Sequence, residues 1–366
     1  MRRTLLVVPL VLLAGCTSDP DPDPDPDGGT AGGSTSASAE ATSTPSASSE
    51  AESSASAEPT EAEPTDDPTE EPADTLPPVR ARPSLAGIMR RPLDGGRIVR
   101  TGYIGENDAY TRRTVTYTSD GRTVSGVLYR PKGAGPFPGI VLAHGYIDPA
   151  VYTTGQGLAR EQDWLARQGY AVLHTDYRGH AASDPASARE RELRLGYVRD
   201  AANAVRALAR EPWVDGDRMA MLGRSTGGGV ALGVAVAYPG LVDAHVVYAS
   251  VSSDFVDNLR QFTEPNRPDG AAAFYDRYGT PEERPVFYEG LSPRTYIDRV
   301  TEPVLIHHGT SDDVCPIRWS RTTHRLLQRA GADSRLVEYD GEEHAFVPQW
   351  QDSIERTVRF LDRRLS

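Results

Sequence analysis

A chain of 366 residues is long enough for two or three domains, but composition removes part of it from any core. Residues 17–79 contain no Lys, Arg or aromatic residue and hold 16 of the 52 acidic residues. Such a segment cannot bury enough apolar surface to offset its conformational entropy, so it is expected to be disordered. The net charge of −13 arises there: beyond residue 79, 37 bases face 36 acids. Residues 80–366 are therefore near neutral and carry no domain-wide basic field for nucleic acid. Two cysteines, Cys16 and Cys315, exclude a disulfide framework and a structural zinc site built on several thiolates.

At the N-terminus, Met1–Arg2–Arg3 precedes an apolar run over Thr4–Leu13. That run is too short to span a bilayer and fits the hydrophobic stretch of a secretory signal. It ends in Leu13–Ala14–Gly15–Cys16, which resembles the lipobox of bacterial lipoprotein signal peptides. The resemblance implies a leader over residues 1–15, cleavage before Cys16 and acylation of its thiol. Two acyl chains hold a protein stably on a membrane. The expected location is thus extracytoplasmic, lipid-anchored to the cell membrane. Residues 16–79, with Asp-Pro repeats over Asp19–Asp27 and then a Ser/Ala/Thr/Glu/Pro stretch, read as a tether.

In residues 80–366, β-rich runs at Val115–Ser119 and Thr123–Tyr129 flank Asp120–Gly121, a strong hairpin signal. Strands and helices then alternate. Strands are predicted at Phe137–His144, Tyr170–Asp176, Arg218–Gly223, His245–Ser250, Pro303–His308 and Arg335–Tyr339. Helices are predicted at Gly157–Arg167, Leu195–Ala209, Gly227–Ala237, Ser320–Ala330 and Ser353–Leu365. Continuous apolar strands between helices imply a mostly parallel sheet covered by helices on both faces, with the hairpin antiparallel at its N-terminal edge. Residues 253–300 break the alternation and predict a helical insertion or lid over the C-terminal ends of the strands. Its Phe255, Phe262, Phe274, Tyr275 and Tyr278 are expected to line a pocket.

The chemistry centres on Gly223–Arg224–Ser225–Thr226–Gly227, a G-x-S-x-G between a strand and a helix. A serine on such a tight turn is forced outward, and the helix N-terminus behind it favours developing negative charge. A hydroxyl nucleophile needs a base. His344, in a polar loop before the last helix, is the best placed of the eight histidines. The orienting acid should fall between the two in chain order. Asp312 follows a late strand, with Asp313 and Asp254 as alternatives. An oxyanion hole needs two backbone N–H groups, assigned to Thr226 and Tyr146. His144 shapes the turn before Tyr146. His174, His245 and His307 lie in strand runs and read as core. Other chemistry is excluded: the Thr226–Gly229 run lacks the Lys-Ser/Thr of a P-loop, and adjacent His307 and His308 face opposite ways on a strand. Cys315 reads as a packing residue.

These residues together resemble the α/β-hydrolase fold. More narrowly they resemble the catalytic domain of the prolyl oligopeptidase family, of dipeptidyl aminopeptidase and acylaminoacyl peptidase type. The resemblance covers roughly residues 110–365. It is carried by Tyr177–Arg178–Gly179–His180, Leu291–Ser292–Pro293, Pro303–Gly309 with Asp312, and Gly341, His344 and Phe346. It implies Ser225 as nucleophile, Asp312 as orienting acid and His344 as base, with no cofactor and no metal. Expected partners are a small peptide or ester substrate and the membrane through the lipid anchor. The family's larger peptidases carry an N-terminal β-propeller, for which this chain has no room. Cys315 stands where many members have Val. The expected reaction is hydrolysis of a peptide, amide or ester bond through an acyl-enzyme. A carboxylic-ester hydrolase is the alternative, and a non-catalytic binding lipoprotein on a hydrolase scaffold a further one.

Overall fold

Residues 75–366 are described by a computed structural model. The leader, Cys16 and the tether up to residue 74 lie outside the described residues. Nine strands form one sheet: β1 (Val99–Glu106), β2 (Tyr110–Ser119), β3 (Arg122–Pro131), β4 (Phe137–Ala143), β5 (Ala171–Thr175), β6 (Val214–Arg224), β7 (Ala244–Tyr248), β8 (Val304–Gly309) and β9 (Ser334–Tyr339). Their order is β1-β2-β3-β5-β4-β6-β7-β8-β9. β1 to β3 form an antiparallel meander, β3 pairs antiparallel with β5, and every pairing from β5 to β9 is parallel.

The β2–β3 hairpin turns where the sequence places it. Asp120 and Gly121 both take positive φ, at 56° and 70°, which matches the twist of the flanking strands. The Asp120 carboxylate also receives Arg91, Arg178 and Arg199, fastening the hairpin tip to neighbouring elements. β1 was not expected. Its residues alternate neither in hydropathy nor in burial, because it is a largely solvent-exposed edge strand, held by its pairing with β2 and by the ion pair of Arg100 with Glu211.

The helices are α1 (Leu85–Met89), α2 (Ala159–Arg167), α3 (Ala188–Leu193), α4 (Leu195–Ala209), α5 (Thr226–Ala237), α6 (Phe255–Asn258), α7 (Glu264–Asn266), α8 (Pro268–Tyr278), α9 (Pro285–Leu291), α10 (Arg318–Arg329) and α11 (Trp350–Arg364). Period-two alternation along the central strands feeds two cores. Val141, Ala143, Leu173, Met219 and Met221 join α4, α5 and Leu327 of α10 on one face. Ile140, Leu142, Val172, Ala220 and Leu222 join α2 and α11 on the other. Helix α5 is buried over nearly its whole surface, consistent with its Gly/Ala/Val sequence: small residues let it lie close to the sheet.

The segment after β7 is helical, as expected. Its aromatics are only partly pocket residues. Phe262 faces the cavity that holds Ser225, and Phe255 lines a smaller neighbouring one. Phe274, Tyr275 and Tyr278 instead pack into the core with Phe287, because α8 is amphipathic and turns its aromatic stripe inward.

Candidate active site

Ser225 stands between β6 and α5 with φ 56° and ψ −121°, a conformation that a non-glycine residue holds only when its surroundings impose it. Those surroundings are visible. The Ser225 N–H donates to the Tyr248 carbonyl (2.9 Å), and its own carbonyl accepts the N–H groups of Gly228 (3.0 Å) and Val251 (3.2 Å). The flanking glycines permit the sharp turn. A Cβ on Gly227 would overlap the Ala143 carbonyl, and one on Gly223 the Gly227 carbonyl.

Asp312 lies in the loop after β8 and is buried. Its Oδ1 accepts the N–H groups of Cys315 (2.8 Å) and Val314 (3.0 Å). Its Oδ2 is 2.8 Å from Nδ1 of His344 and 3.2 Å from Nε2 of His308. Burial alone would raise the carboxyl's pKa. Hydrogen bonds from His308, His344 and the Cys315 N–H outweigh burial and hold it well below the usual carboxylate range. The two rival acids are elsewhere: Asp313 is exposed, and Asp254 caps α6 and pairs with Arg294 at 2.9 Å.

His344 is carried by a loop that buried Glu342 organises, accepting the N–H groups of Val347 (2.9 Å) and Gln349 (2.5 Å). Arg160 braces the same loop through the carbonyls of Ala345 (2.8 Å) and Phe346 (2.9 Å). Arg224, beside Ser225, is held by the buried carboxylate of Glu161, which also accepts Nε1 of Trp350 (2.8 Å). None of these supports was singled out from the sequence, since each partner is distant along the chain. The glycine–serine motif itself was the only local pointer to Arg224.

Ser225 and His344 line one cavity of about 500 Å³ with Tyr146 and Thr226. Ser225 Oγ makes no hydrogen bond to His344 among the described residues. Such bonds are often long in an empty site and tighten when substrate binds. Thr226 opens α5, and Tyr146 follows a glycine packed against Ser225, whose added Cβ would lie 3.2 Å from the serine Cβ. Neither N–H donates to a described acceptor, so both are available to an oxygen placed near Ser225.

Of the other histidines, His144, His174, His245, His307 and His308 are buried. His144 has Nδ1 2.6 Å from the Gly145 carbonyl oxygen and stacks on Tyr152; burial lowers its pKa to about 4. His307 contacts Tyr339 and Thr357, whereas His308 contacts Ser320 and the Cys315 carbonyl. The Cys315 thiol is buried against Val251 and Trp319, next to Ser225. Burial and then the Asp312 charge push its pKa well up.

A serine at a strained strand-to-helix turn, with an acid–histidine pair on later loops of a mostly parallel sheet, defines an α/β-hydrolase. The chain belongs to the prolyl oligopeptidase family, whose model matches residues 157–366. It is therefore a hydrolase of that family. The matched span includes Ser225, Asp312 and His344 but not Tyr146. Among curated relatives, the uncharacterized peptidase YtmA of Bacillus subtilis (strain 168) is 25% identical over 248 residues, covering 67% of this chain and 90% of that protein. Among solved structures, a puromycin-hydrolyzing peptidase of Mycobacterium tuberculosis superposes with TM-score 0.58 and 24% identity, over 71% of this chain and 40% of that one. Acetyl xylan esterase from Paenibacillus sp. R4 gives TM-score 0.60 and 20% identity, over 75% and 90%. This chain thus spans about two-fifths of the peptidase structure and nearly all of the esterase.

Proposed function

We propose that the protein is a serine hydrolase that transfers an acyl group from a small peptide, amide or ester to water. The observation that carries this reading is the 2.8 Å bond between Asp312 and His344, opening on the cavity that holds strained Ser225. Ser225 Oγ attacks the substrate carbonyl while Nε2 of His344 takes its proton. Asp312, held ionised, keeps the imidazole proton on Nδ1 and stabilises the imidazolium. The backbone N–H groups of Tyr146 and Thr226 receive the oxyanion. His344 then gives its proton to the leaving group, which departs. A water deprotonated by His344 attacks the acyl-enzyme, and the acid product leaves Ser225 with its proton restored.

Ester hydrolysis without peptidase activity is the second reading. It is supported by the nearly full-length likeness to an acetyl xylan esterase, just as the match over 90% of the peptidase YtmA supports the peptidase reading. The test is kcat/KM on an activated ester and an amide sharing one acyl group, with Ser225→Ala as the blank. Amide cleavage within about 10³-fold of the ester, a barrier difference of about 4 kcal/mol, supports the peptidase reading. Ester turnover alone across several acyl groups supports the second. Turnover surviving in Ser225→Ala contradicts both.

The lipobox-like segment supports anchoring of this hydrolase outside the cytoplasmic membrane through Cys16. Incorporation of labelled fatty acid into the wild type, and its loss in Cys16→Ser, is the expected result. Equal labelling of the two would refute anchoring at that cysteine.

A further inference from the structure

We propose that Arg194 makes the cavity selective for substrates bearing a carboxylate a few bonds from the scissile carbonyl, an inference that rests on the hydrolase reading above. Arg194 occupies the junction of α3 and α4 in a left-handed conformation, φ 56°. Its side chain lines the Ser225 cavity and also an adjoining cavity of about 560 Å³. It is only partly exposed, and its guanidinium makes no hydrogen bond or ion pair with any described residue. Other arginines of low exposure do not behave this way. Arg178 is fixed by Asp200 and Asp120, Arg199 by Asp120, and Arg224 by Glu161.

The cavity walls supply no counter-charge. The residues lining it with Ser225 include no Asp or Glu but contain a second cation, Arg267 from the insertion. Arg267 also makes no side-chain bond among the described residues. Asp148 and Glu192 line the adjoining cavity without forming an ion pair with either arginine. Burial, and with it the like charge of Arg267, press the Arg194 pKa down, the condition of a guanidinium lacking its anion. A planar fork of N–H donors matches a carboxylate bidentately. Val251, Phe262 and Val314 on the same walls suit the methylenes that would separate this carboxylate from the reacting carbonyl.

The carboxylate can belong to the acyl group or to the leaving group, and two matched ester pairs distinguish these. The first pair is 4-nitrophenyl hexanoate and the 4-nitrophenyl monoester of adipic acid. The second is phenyl hexanoate and 4-(hexanoyloxy)benzoate. For each pair the anionic-to-neutral ratio of kcat/KM is measured in the wild type, Arg194→Gln and Arg194→Lys, with Ser225→Ala as the blank. Melting temperatures report folding. Arg194→Gln is expected to lower the ratio about 10- to 100-fold in at least one pair, the range for losing a charged hydrogen bond in a partly desolvated site. Arg194→Lys, which keeps the charge without the fork, is expected to lower it less. Loss confined to the first pair assigns the carboxylate to the acyl side, and loss confined to the second assigns it to the leaving side. Ratios within twofold of wild type in both pairs overturn the proposal. Failure of the hydrolase reading looks different: no turnover above the Ser225→Ala blank. Adipate binding by calorimetry then decides, with tighter binding to wild type than to Arg194→Gln supporting the site and equal or absent binding overturning it.

Discussion

Replacing Asp312 by Asn changes one atom at the centre of the proposed mechanism, and the contacts around that atom determine the effect. Oδ1 faces two backbone N–H groups, of Cys315 at 2.8 Å and Val314 at 3.0 Å, so the amide oxygen must occupy that side. The amide NH₂ then points at His344 and His308. His308 cannot accept from it readily, because its Nε2 lies 2.7 Å from the Cys315 carbonyl and must donate there. His344 can accept only by moving its proton from Nδ1 to Nε2, the nitrogen that has to take the serine proton. The expected loss in kcat is about 10⁴-fold, the scale of the same change in other triads, or about 5.5 kcal/mol of barrier. Losing hydrogen bonds to a charged acceptor should also cost about 1.5–3 kcal/mol of stability. The assay is kcat on a saturating activated ester with the Ser225→Ala blank subtracted, beside urea melts. Asp313→Asn, at an exposed position, should stay within threefold of wild type. A folded Asp312→Asn enzyme within tenfold of wild type, or a large loss in Asp313→Asn, would refute the assignment.

The same contacts predict three further outcomes. Gly227→Ala sets a methyl group against the Ala143 carbonyl, a backbone atom that cannot swing aside. A loss of about 3 kcal/mol or more is expected, read as a lower urea midpoint, and an unchanged midpoint would contradict the packing described. Glu161→Ala leaves Arg224 and the Trp350 N–H without their acceptor in a site where Glu161 is 1% exposed. It should destabilise by about 3–5 kcal/mol; a cost below about 1 kcal/mol would show that the pair is dispensable. His144 and His307 have pKa values lowered by burial to about 4 and about 3. The unfolded chain therefore takes up their protons below about pH 6.5 while the folded chain does not. Each should remove up to about 1.4 kcal/mol of stability per pH unit as pH falls from about 6.5 toward about 4. Urea melts at pH 7, 6 and 5 check this, and flat stability over that range would refute it.

Much of this was legible in the sequence because it is local. The six central strands and five helices announce themselves by apolar runs and helical spacing, and observed boundaries mostly differ by a few residues. Ser225 was readable because its glycines sit beside it, and His344 because of its place in chain order. The illegible features depend on distant partners or on exposure. β1 has no amphipathic pattern to read. Glu161, Arg160 and Glu342 look like ordinary surface charges until the fold brings Arg224 and the His344 loop to them. The choice among Asp312, Asp313 and Asp254 turned on a single hydrogen bond. The aromatics of the insertion were misread in part because Phe274, Tyr275 and Tyr278 share one helix, where composition cannot tell a pocket wall from a core stripe.

The most direct test of the account is covalent labelling with a fluorophosphonate, followed by mass spectrometry of the peptide containing Ser225. The account predicts one adduct, on Ser225, absent from Ser225→Ala and formed far more slowly in His344→Ala and Asp312→Asn. An unlabelled wild type, or a label on another residue that survives Ser225→Ala, would contradict it.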